Sequence, residues 1–174
     1  MVHVLSNSIM KILGFFFAVM LFFIGCGDNY IDNETKTIPA YGWTYRDSLA
    51  YHFDINDTTK LYNLYLDIKH DDTYPLQNLY TFIKTDYPNG KQYKQQLNID
   101  LASKSGNWNG KKSWFSSEYN TRIVLQEGAF FNQVGTYRLG LQQYLRQDSL
   151  QGLKSMTFCI ENTNQAHTGA KKKK

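Results

Sequence analysis

Hydrophobic and polar residues alternate one by one through most of the chain after Tyr41, a period typical of β-strands that have one buried face. The clearest runs are residues 49–55 and 62–68, in which every second residue is Leu, Tyr, Phe or Ile. Further strand-like runs cover residues 79–87, 93–101, 121–125, 136–144 and 154–161. This pattern predicts about seven or eight strands in one domain.

Turn-forming residues separate these runs. Pro88-Asn89-Gly90 lies between two of them and predicts a hairpin, since Asn and Gly tolerate positive φ. Residues 103–117 combine Gly and Asn with aromatic side chains and predict a long loop over one end of a sheet. No stretch of the mature chain gives a helical pattern of ten or more residues. We therefore expect an all-β fold, an antiparallel β-sandwich of jelly-roll or immunoglobulin-like type.

The N-terminal part has a different pattern. Lys11 precedes an uninterrupted apolar run over residues 12–24, which ends at Gly25-Cys26. A helix of that length spans roughly 20 Å, which is short of the ~30 Å hydrocarbon layer of a membrane. Residues 1–25 are therefore predicted to form a signal-peptide helix. Because residues 1–9 contain no Lys or Arg, Met10 is a candidate for the true start.

The cysteine after the small residue predicts lipid attachment. Phe23-Ile24-Gly25-Cys26 resembles the lipobox of bacterial lipoproteins, in which the cysteine becomes the first residue and carries acyl chains. The alternative is a plain secreted protein with a coincidental cysteine. After Cys26 we predict a polar, lipidated tether over residues 26–40, the sandwich domain over 41–161, and a disordered, Lys-rich tail over 162–174.

The net charge of +4 does not indicate a nucleic-acid partner. Of the 19 Lys and Arg residues, one lies in the signal peptide and four form the run 171–174. Without these five, the basic residues nearly balance the 15 acidic residues. Nucleic-acid binding would need a basic face on the domain itself.

The sequence nominates no catalytic, cofactor-binding or metal-binding residue. It contains no zinc-ligand spacing, no EF-hand loop, no phosphate-binding Gly-rich loop and no GxSxG. His70-Asp71-Asp72 could bind a metal only if the strand bends, because adjacent strand residues point to opposite faces. Cys159 lies in a strand-like run and is predicted to be a buried apolar residue rather than a reactive thiol. We therefore expect a protein that is not an enzyme, although a spatially formed carboxylate pair stays open.

The aromatic residues offer the best candidates for binding. Trp43, Trp108 and Trp114, with thirteen tyrosines, could stack on sugars, contact a protein partner or fill the core of the sandwich. Trp108, in the Asn- and Gly-rich loop, is the best candidate for an exposed ring.

Several segments, taken in order, resemble the gliding motility lipoprotein H (GldH) family of Bacteroidetes. They are DTTKLYNLYL at 57–66, YPLQNLY at 74–80, YPNGK at 87–91, GNWNGK at 106–111, GTY at 135–137, QQYLR at 142–146 and LQGL at 150–153. With the lipobox, the likeness covers nearly the whole mature domain.

The resemblance implies a cell-envelope lipoprotein required for gliding motility, an accessory or scaffold component of the gliding and type IX secretion machinery. It implies no enzyme activity and no cofactor. Cys26 is the one residue to which the resemblance assigns a function, that of the acylated cysteine. The implied partners are a membrane, inner or outer, through the lipid anchor, and other envelope proteins. The alternative function is a surface glycan-binding lipoprotein that uses an aromatic platform on the sandwich.

Overall fold

The computed structural model describes residues 30–166, which form eleven β-strands and no helix. The strands are β1 Tyr30–Thr37, β2 Trp43–Thr44, β3 Ser48–Ile55, β4 Lys60–Asp71, β5 Asn78–Asp86, β6 Gln92–Asp100, β7 Lys111–Lys112, β8 Glu118–Phe130, β9 Gly135–Gln143, β10 Ser149–Leu150 and β11 Leu153–Ala166. Within this part of the chain no helix could cross a membrane.

The strands form two antiparallel sheets. The first sheet has the order β1-β11-β4-β8-β7 and the second has the order β3-β9-β5-β6, while β2 and β10 form a separate short pair. Eight of the strands have eight or more residues. Numbered along the chain, these eight are arranged 1-8-3-6 and 2-7-4-5, the strand order of a jelly roll. The all-β sandwich predicted from the sequence is confirmed, and its connectivity is that of a jelly roll.

The core lies between the two sheets and follows the alternation of the sequence. In β4 every second residue is buried, from Tyr62 to His70. Phe158 packs against Phe53 at 5.2 Å between ring centroids, and Phe53 stacks on Tyr137 at 5.5 Å. Contacts between aromatic rings at such distances stabilise a core beyond the burial of their area. Aromatic residues therefore fill much of the interior.

The hairpin predicted at Pro88-Asn89-Gly90 joins β5 to β6. The Tyr87 N–H donates to the Lys91 carbonyl at 2.9 Å, and the Gly90 N–H donates back to the Tyr87 carbonyl at 2.9 Å. Gly90 has φ of 80°, which a residue with a Cβ adopts only with strain. The residues Pro88-Asn89-Gly90 therefore determine the conformation of the hairpin between β5 and β6.

The tether predicted over residues 26–40 is wrong for residues 30–37, which form β1 at the edge of the first sheet. β1 pairs with β11 from Tyr30 to Thr37. The hydrophobic pattern does not reveal this strand, because three of its four half-buried positions carry charged side chains, Glu34 among them. The Glu34 carboxylate accepts from the His52 N–H of β3 at 3.2 Å and forms an ion pair with Lys36. Polar contacts thus close this edge of the sandwich.

The disordered tail predicted from residue 162 is wrong for residues 162–166. β11 continues to Ala166, which pairs with Lys60 after an irregularity in the register. The Thr163 hydroxyl donates to the Leu61 carbonyl at 3.0 Å, so a side chain supports this part of the strand. Residues 1–29, with the predicted signal peptide, the Met10 start and Cys26, and residues 167–174 lie outside the described part.

Candidate functional site

The register of the first sheet defines two ends of the sandwich. Tyr30 pairs with Glu161 at one end, which we name the Tyr30 end. At the other end, the far end, Asp71 pairs with Glu118. The predicted lipidation residue Cys26 lies outside the described residues, but its nearest described neighbour in sequence is Tyr30. Any attachment through Cys26 therefore reaches the sandwich at the Tyr30 end.

The most exposed aromatic side chains lie at the far end. Residues 113–117, which we name the Trp114 loop, connect β7 to β8. Trp114 is 96% exposed and Phe115 is 100% exposed. Adjacent aromatic side chains with full exposure are costly to keep in water, and aromatic residues are enriched in protein interfaces. The Trp114 loop is therefore the strongest candidate for a protein contact.

The base of the Trp114 loop is fixed against the sheet. Lys112 of β7 pairs with Tyr119 of β8, and the Ser113 N–H donates to the Glu118 carbonyl at 2.8 Å. Just before β7, a Cβ on Gly110 would lie 2.9 Å from the backbone of Asn120, so only glycine allows this close approach. The loop therefore presents its two rings from a defined base.

The other two tryptophans proposed as contacts have structural roles. Trp43 is 1% exposed and its Nε1–H donates to the Asp47 carbonyl at 3.1 Å, so its assignment as a partner contact is wrong. Trp108 is half-buried, and its Nε1–H donates to Asp72 Oδ1 at 3.1 Å. Its ring lies 4.6 Å from that of His70 between centroids. Trp108 is therefore engaged with its neighbours and does not form an open platform.

His70 lies fully buried at the centre of that aromatic group. Its ring stacks on Tyr119 with centroids 5.5 Å apart and an interplanar angle of 15°. Nδ1 lies 3.3 Å from the Asp71 carbonyl oxygen, and Nε2 has no partner among the described residues. Burial lowers the pKa of His70 below its ordinary value. The imidazole is therefore held in its neutral form.

The side chains of His70, Asp71 and Asp72 do not converge on one point. Asp71 forms an ion pair with Lys154 at 2.6 Å, while Asp72 accepts the hydrogen bond from Trp108. Hydrogen bonds and the cation of Lys154 outweigh burial and keep the pKa of Asp71 low. No group of three or more His, Cys, Asp or Glu side chains within residues 30–166 is placed to hold a metal ion.

Cys159 faces the outer side of the first sheet but is only 3% exposed. Arg122 lies beside it and holds Asp67 with two hydrogen bonds of 2.7 Å. Nη1 of Arg122 also donates to the Tyr30 hydroxyl at 2.7 Å, which links β8 to β1 across the sheet. Burial raises the pKa of the Cys159 thiol, so it stays protonated and unreactive. The arrangement supports the interpretation of Cys159 as a packing residue.

A second group of aromatic residues could not be assembled from the sequence. Tyr45, Phe82 and Tyr144 line one pocket of about 360 Å³ on the outer side of the second sheet. Tyr45 follows β2, Phe82 belongs to β5 and Tyr144 follows β9. Because they lie far apart along the chain, no local motif signals the site. The strand order, which brings β5 beside β9, would have been needed to find it.

Comparisons with known proteins agree with the resemblance that the sequence segments carry. A protein-family model described as GldH lipoprotein matches residues 30–160. A "Gliding motility lipoprotein GldH homolog" of Christiangramia forsetii is 26% identical over 166 residues, covering 91% of this chain and 99% of the relative. "Gliding motility lipoprotein GldH" of Flavobacterium johnsoniae is 23% identical over 151 residues, covering 83% and 91%.

Similarity to solved structures is weaker. The VP2 subviral particle of infectious bursal disease virus aligns with a TM-score of 0.33 and 11% identity, over 77% of this chain and 30% of that one. The assignment therefore rests on the family model, which spans the sandwich from the first residue of β1 into β11. The chain belongs to the GldH lipoprotein family.

Proposed function

We propose that this protein is a membrane-anchored accessory component of the gliding and type IX secretion machinery. Acyl chains on Cys26 hold it at the cell envelope, and the Trp114 loop contacts a protein partner. Membership of a lipoprotein family and the names of its relatives support the cellular role. The observation that carries the contact is the exposure of Trp114 and Phe115.

The distance along the chain supports a division of roles between the two ends. Cys26 precedes Tyr30 by four residues, which span at most about 14 Å when extended. From Tyr30, β1 runs about 23 Å along the sheet to Thr37, which lies toward the far end. An anchor at Cys26 thus keeps the Tyr30 end near the membrane and directs the Trp114 loop away from it.

The proposed role is binding rather than catalysis. The clusters around His70 and Arg122 serve packing: His70 is enclosed by rings, and Arg122 is paired with Asp67. Lys111 and Lys112 precede the Trp114 loop and carry exposed ammonium groups. They complement a partner that has an apolar cleft with an acidic rim, since opposite charges at a rim speed and orient association.

An affinity pull-down from solubilised envelope tests this proposal. We expect Trp114→Ala/Phe115→Ala to reduce recovery of the partner at least about tenfold, because aromatic anchors carry much of the binding energy of an interface. Val134→Ala is the matched control, since Val134 is also exposed, at 61%, but does not belong to the loop. Equal recovery with both variants would exclude the Trp114 loop as the contact.

A further inference from the structure

The aromatic pocket on the outer side of the second sheet lies at its far end. β3 begins there at Ser48, which pairs with Gln142 near the end of β9. The pocket is lined by Phe82, Lys94 and Gln142 of the second sheet, by Tyr45, and by the loop of residues 144–148. A volume of about 360 Å³ falls at the lower limit of small-molecule sites and accommodates one or two sugar rings.

Aromatic faces form one wall of the pocket. The rings of Phe82 and Tyr144 lie 4.3 Å apart between centroids, at an angle of 49°. Tyr144 is 56% exposed and Tyr45 is 41% exposed, so both rings meet solvent. The Lys94 ammonium lies 3.9 Å from the centre of the Phe82 ring. This wall offers flat apolar surface beside a fixed positive charge.

Hydrogen bonds hold the loop of residues 144–148 that forms the rim. Gln143 is 3% exposed, and its amide uses both of its ends: Nε2–H donates to the Gln147 carbonyl at 2.8 Å, and Oε1 accepts from the Leu145 N–H at 2.9 Å. The Gln142 amide likewise donates to the Tyr45 carbonyl at 2.9 Å. The pocket is therefore formed before any ligand arrives, which lowers the cost of binding.

The charged side chains of the pocket are not neutralised by ion pairs. Lys94, Arg146 and Asp148 form no ion pair within residues 30–166. Their sum is one positive charge. Arg146 and Asp148 are exposed, on the loop that Gln143 holds. The pocket thus combines aromatic faces, amides and two cations in one small volume.

We propose that this pocket binds an acidic oligosaccharide. A sugar ring stacks its C–H face on Tyr144 or Tyr45, and its hydroxyls bond to Oε1 of Gln142, to the Gln147 amide and to Asp148. Its carboxylates meet Lys94 and Arg146. A peptide added as an extra strand does not fit here, because β5 and β9 already pair on both sides and leave no free backbone. Free uronates and sugars linked to an envelope lipid present the same chemistry.

Titration calorimetry on the full-length mature lipoprotein in detergent tests the proposal. The probes are hexamers of galacturonate, alginate and hyaluronate, with the methyl-esterified galacturonate hexamer as a neutral probe that keeps the same rings. We expect at least one acidic hexamer to bind and the esterified hexamer to bind at least tenfold more weakly. If no acidic hexamer binds, or if the esterified form binds equally, the proposal is overturned.

Variants locate the site. Tyr144→Ala is expected to weaken binding of the acidic hexamer at least tenfold, and Arg146→Gln to weaken it while making it less sensitive to salt. Tyr93→Ala is the control, since Tyr93 is exposed to a similar extent, at 55%, but does not line the pocket. Unchanged binding by Tyr144→Ala would also overturn the proposal.

Saccharide binding by the pocket can be tested separately from protein binding by the Trp114 loop. Trp114→Ala/Phe115→Ala is expected to bind the acidic hexamer with wild-type affinity, because those two residues are outside the pocket. If Tyr144→Ala instead loses an envelope protein in the pull-down and no hexamer binds the wild type, the pocket is a protein contact and the saccharide proposal fails. Competition between the free hexamer and glycolipid micelles distinguishes lipid-linked sugars from free uronates as the ligand.

Discussion

The imidazole of His70 is enclosed on several sides by aromatic rings. Tyr74, Trp108 and Tyr119 surround it. The carboxylates of Asp71 and Asp72 act on the imidazole. The Lys154 ammonium is paired with Asp71, and the Lys112 ammonium lies 5.5 Å from the centre of the Tyr119 ring. Protonation would place a cation where Nε2 has no hydrogen-bond acceptor. Burial outweighs both carboxylates, so the net effect is a lowered pKa for His70.

This cluster predicts a pH dependence of the free energy of unfolding. In the unfolded chain His70 regains its ordinary pKa of 6.5, whereas the folded state keeps a lower value. The unfolded state therefore binds more protons below that pH, and folding is destabilised as pH falls from about 7 toward 5. Urea unfolding across this range should show a falling midpoint for the wild type and a flatter profile for His70→Leu.

His52→Gln provides the control for that experiment, because His52 is exposed on β3. It is expected to keep the wild-type slope between pH 7 and pH 5. Carboxylates such as Asp71, whose pKa is lowered, act at more acid pH and do not contribute in this window. If His70→Leu has the same slope as the wild type, the dependence has another source.

At the scale of the elements, sequence alone predicts the strands whose inward positions are apolar. The alternation in β3 and β4 is matched by burial of Tyr51, Phe53, Leu66 and Ile68, because burial of large apolar groups dominates the energy of those strands. The same criterion fails for β1, where three of the four half-buried positions are charged. A strand held by backbone pairing and by polar contacts carries no hydrophobic signal.

The sequence alone does not predict which aromatic residues form the binding surfaces, because that depends on tertiary packing. Trp43, Trp108 and Trp114 are chemically alike, and only the packing distinguishes the buried ring from the exposed one. The pocket that includes Tyr144 depends on strand order, which is set by contacts between residues far apart in sequence. Composition therefore indicates that aromatic residues are candidates for binding, and the tertiary structure determines which of them face solvent.

Two truncated chains test whether β1 belongs to the folded domain. A chain that begins at Tyr41 lacks β1 and exposes the edge of β11, whereas a chain that begins at Tyr30 keeps the pairing. Loss of these backbone hydrogen bonds should lower the free energy of unfolding by on the order of 3 kcal/mol and promote association through the exposed edge. Urea unfolding and size-exclusion chromatography measure both effects. Equal stability of the two chains would show that β1 is dispensable.

At the scale of the whole molecule, the proposed anchor can be tested independently of the sandwich. We expect Cys26→Ala to leave the precursor uncleaved and to abolish incorporation of radiolabelled palmitate, because acyl chains require the thiol. The domain should fold as before, since the eleven strands of the described residues begin at Tyr30 and do not include Cys26. Ser48→Ala, in an exposed position of β3, is the control for processing. Palmitate incorporation by Cys26→Ala would contradict the assignment.

The pairing of β1 with β11 also has a mechanical consequence. If Cys26 is acylated and the Trp114 loop binds a partner, as proposed above, a pull between the lipid and the partner acts along the axis of β1. The seven residue pairs that join β1 to β11 are then loaded together in shear, whereas a pull across the strand would unzip them one after another. An edge strand in this orientation therefore resists such a pull better than one that is loaded across its axis.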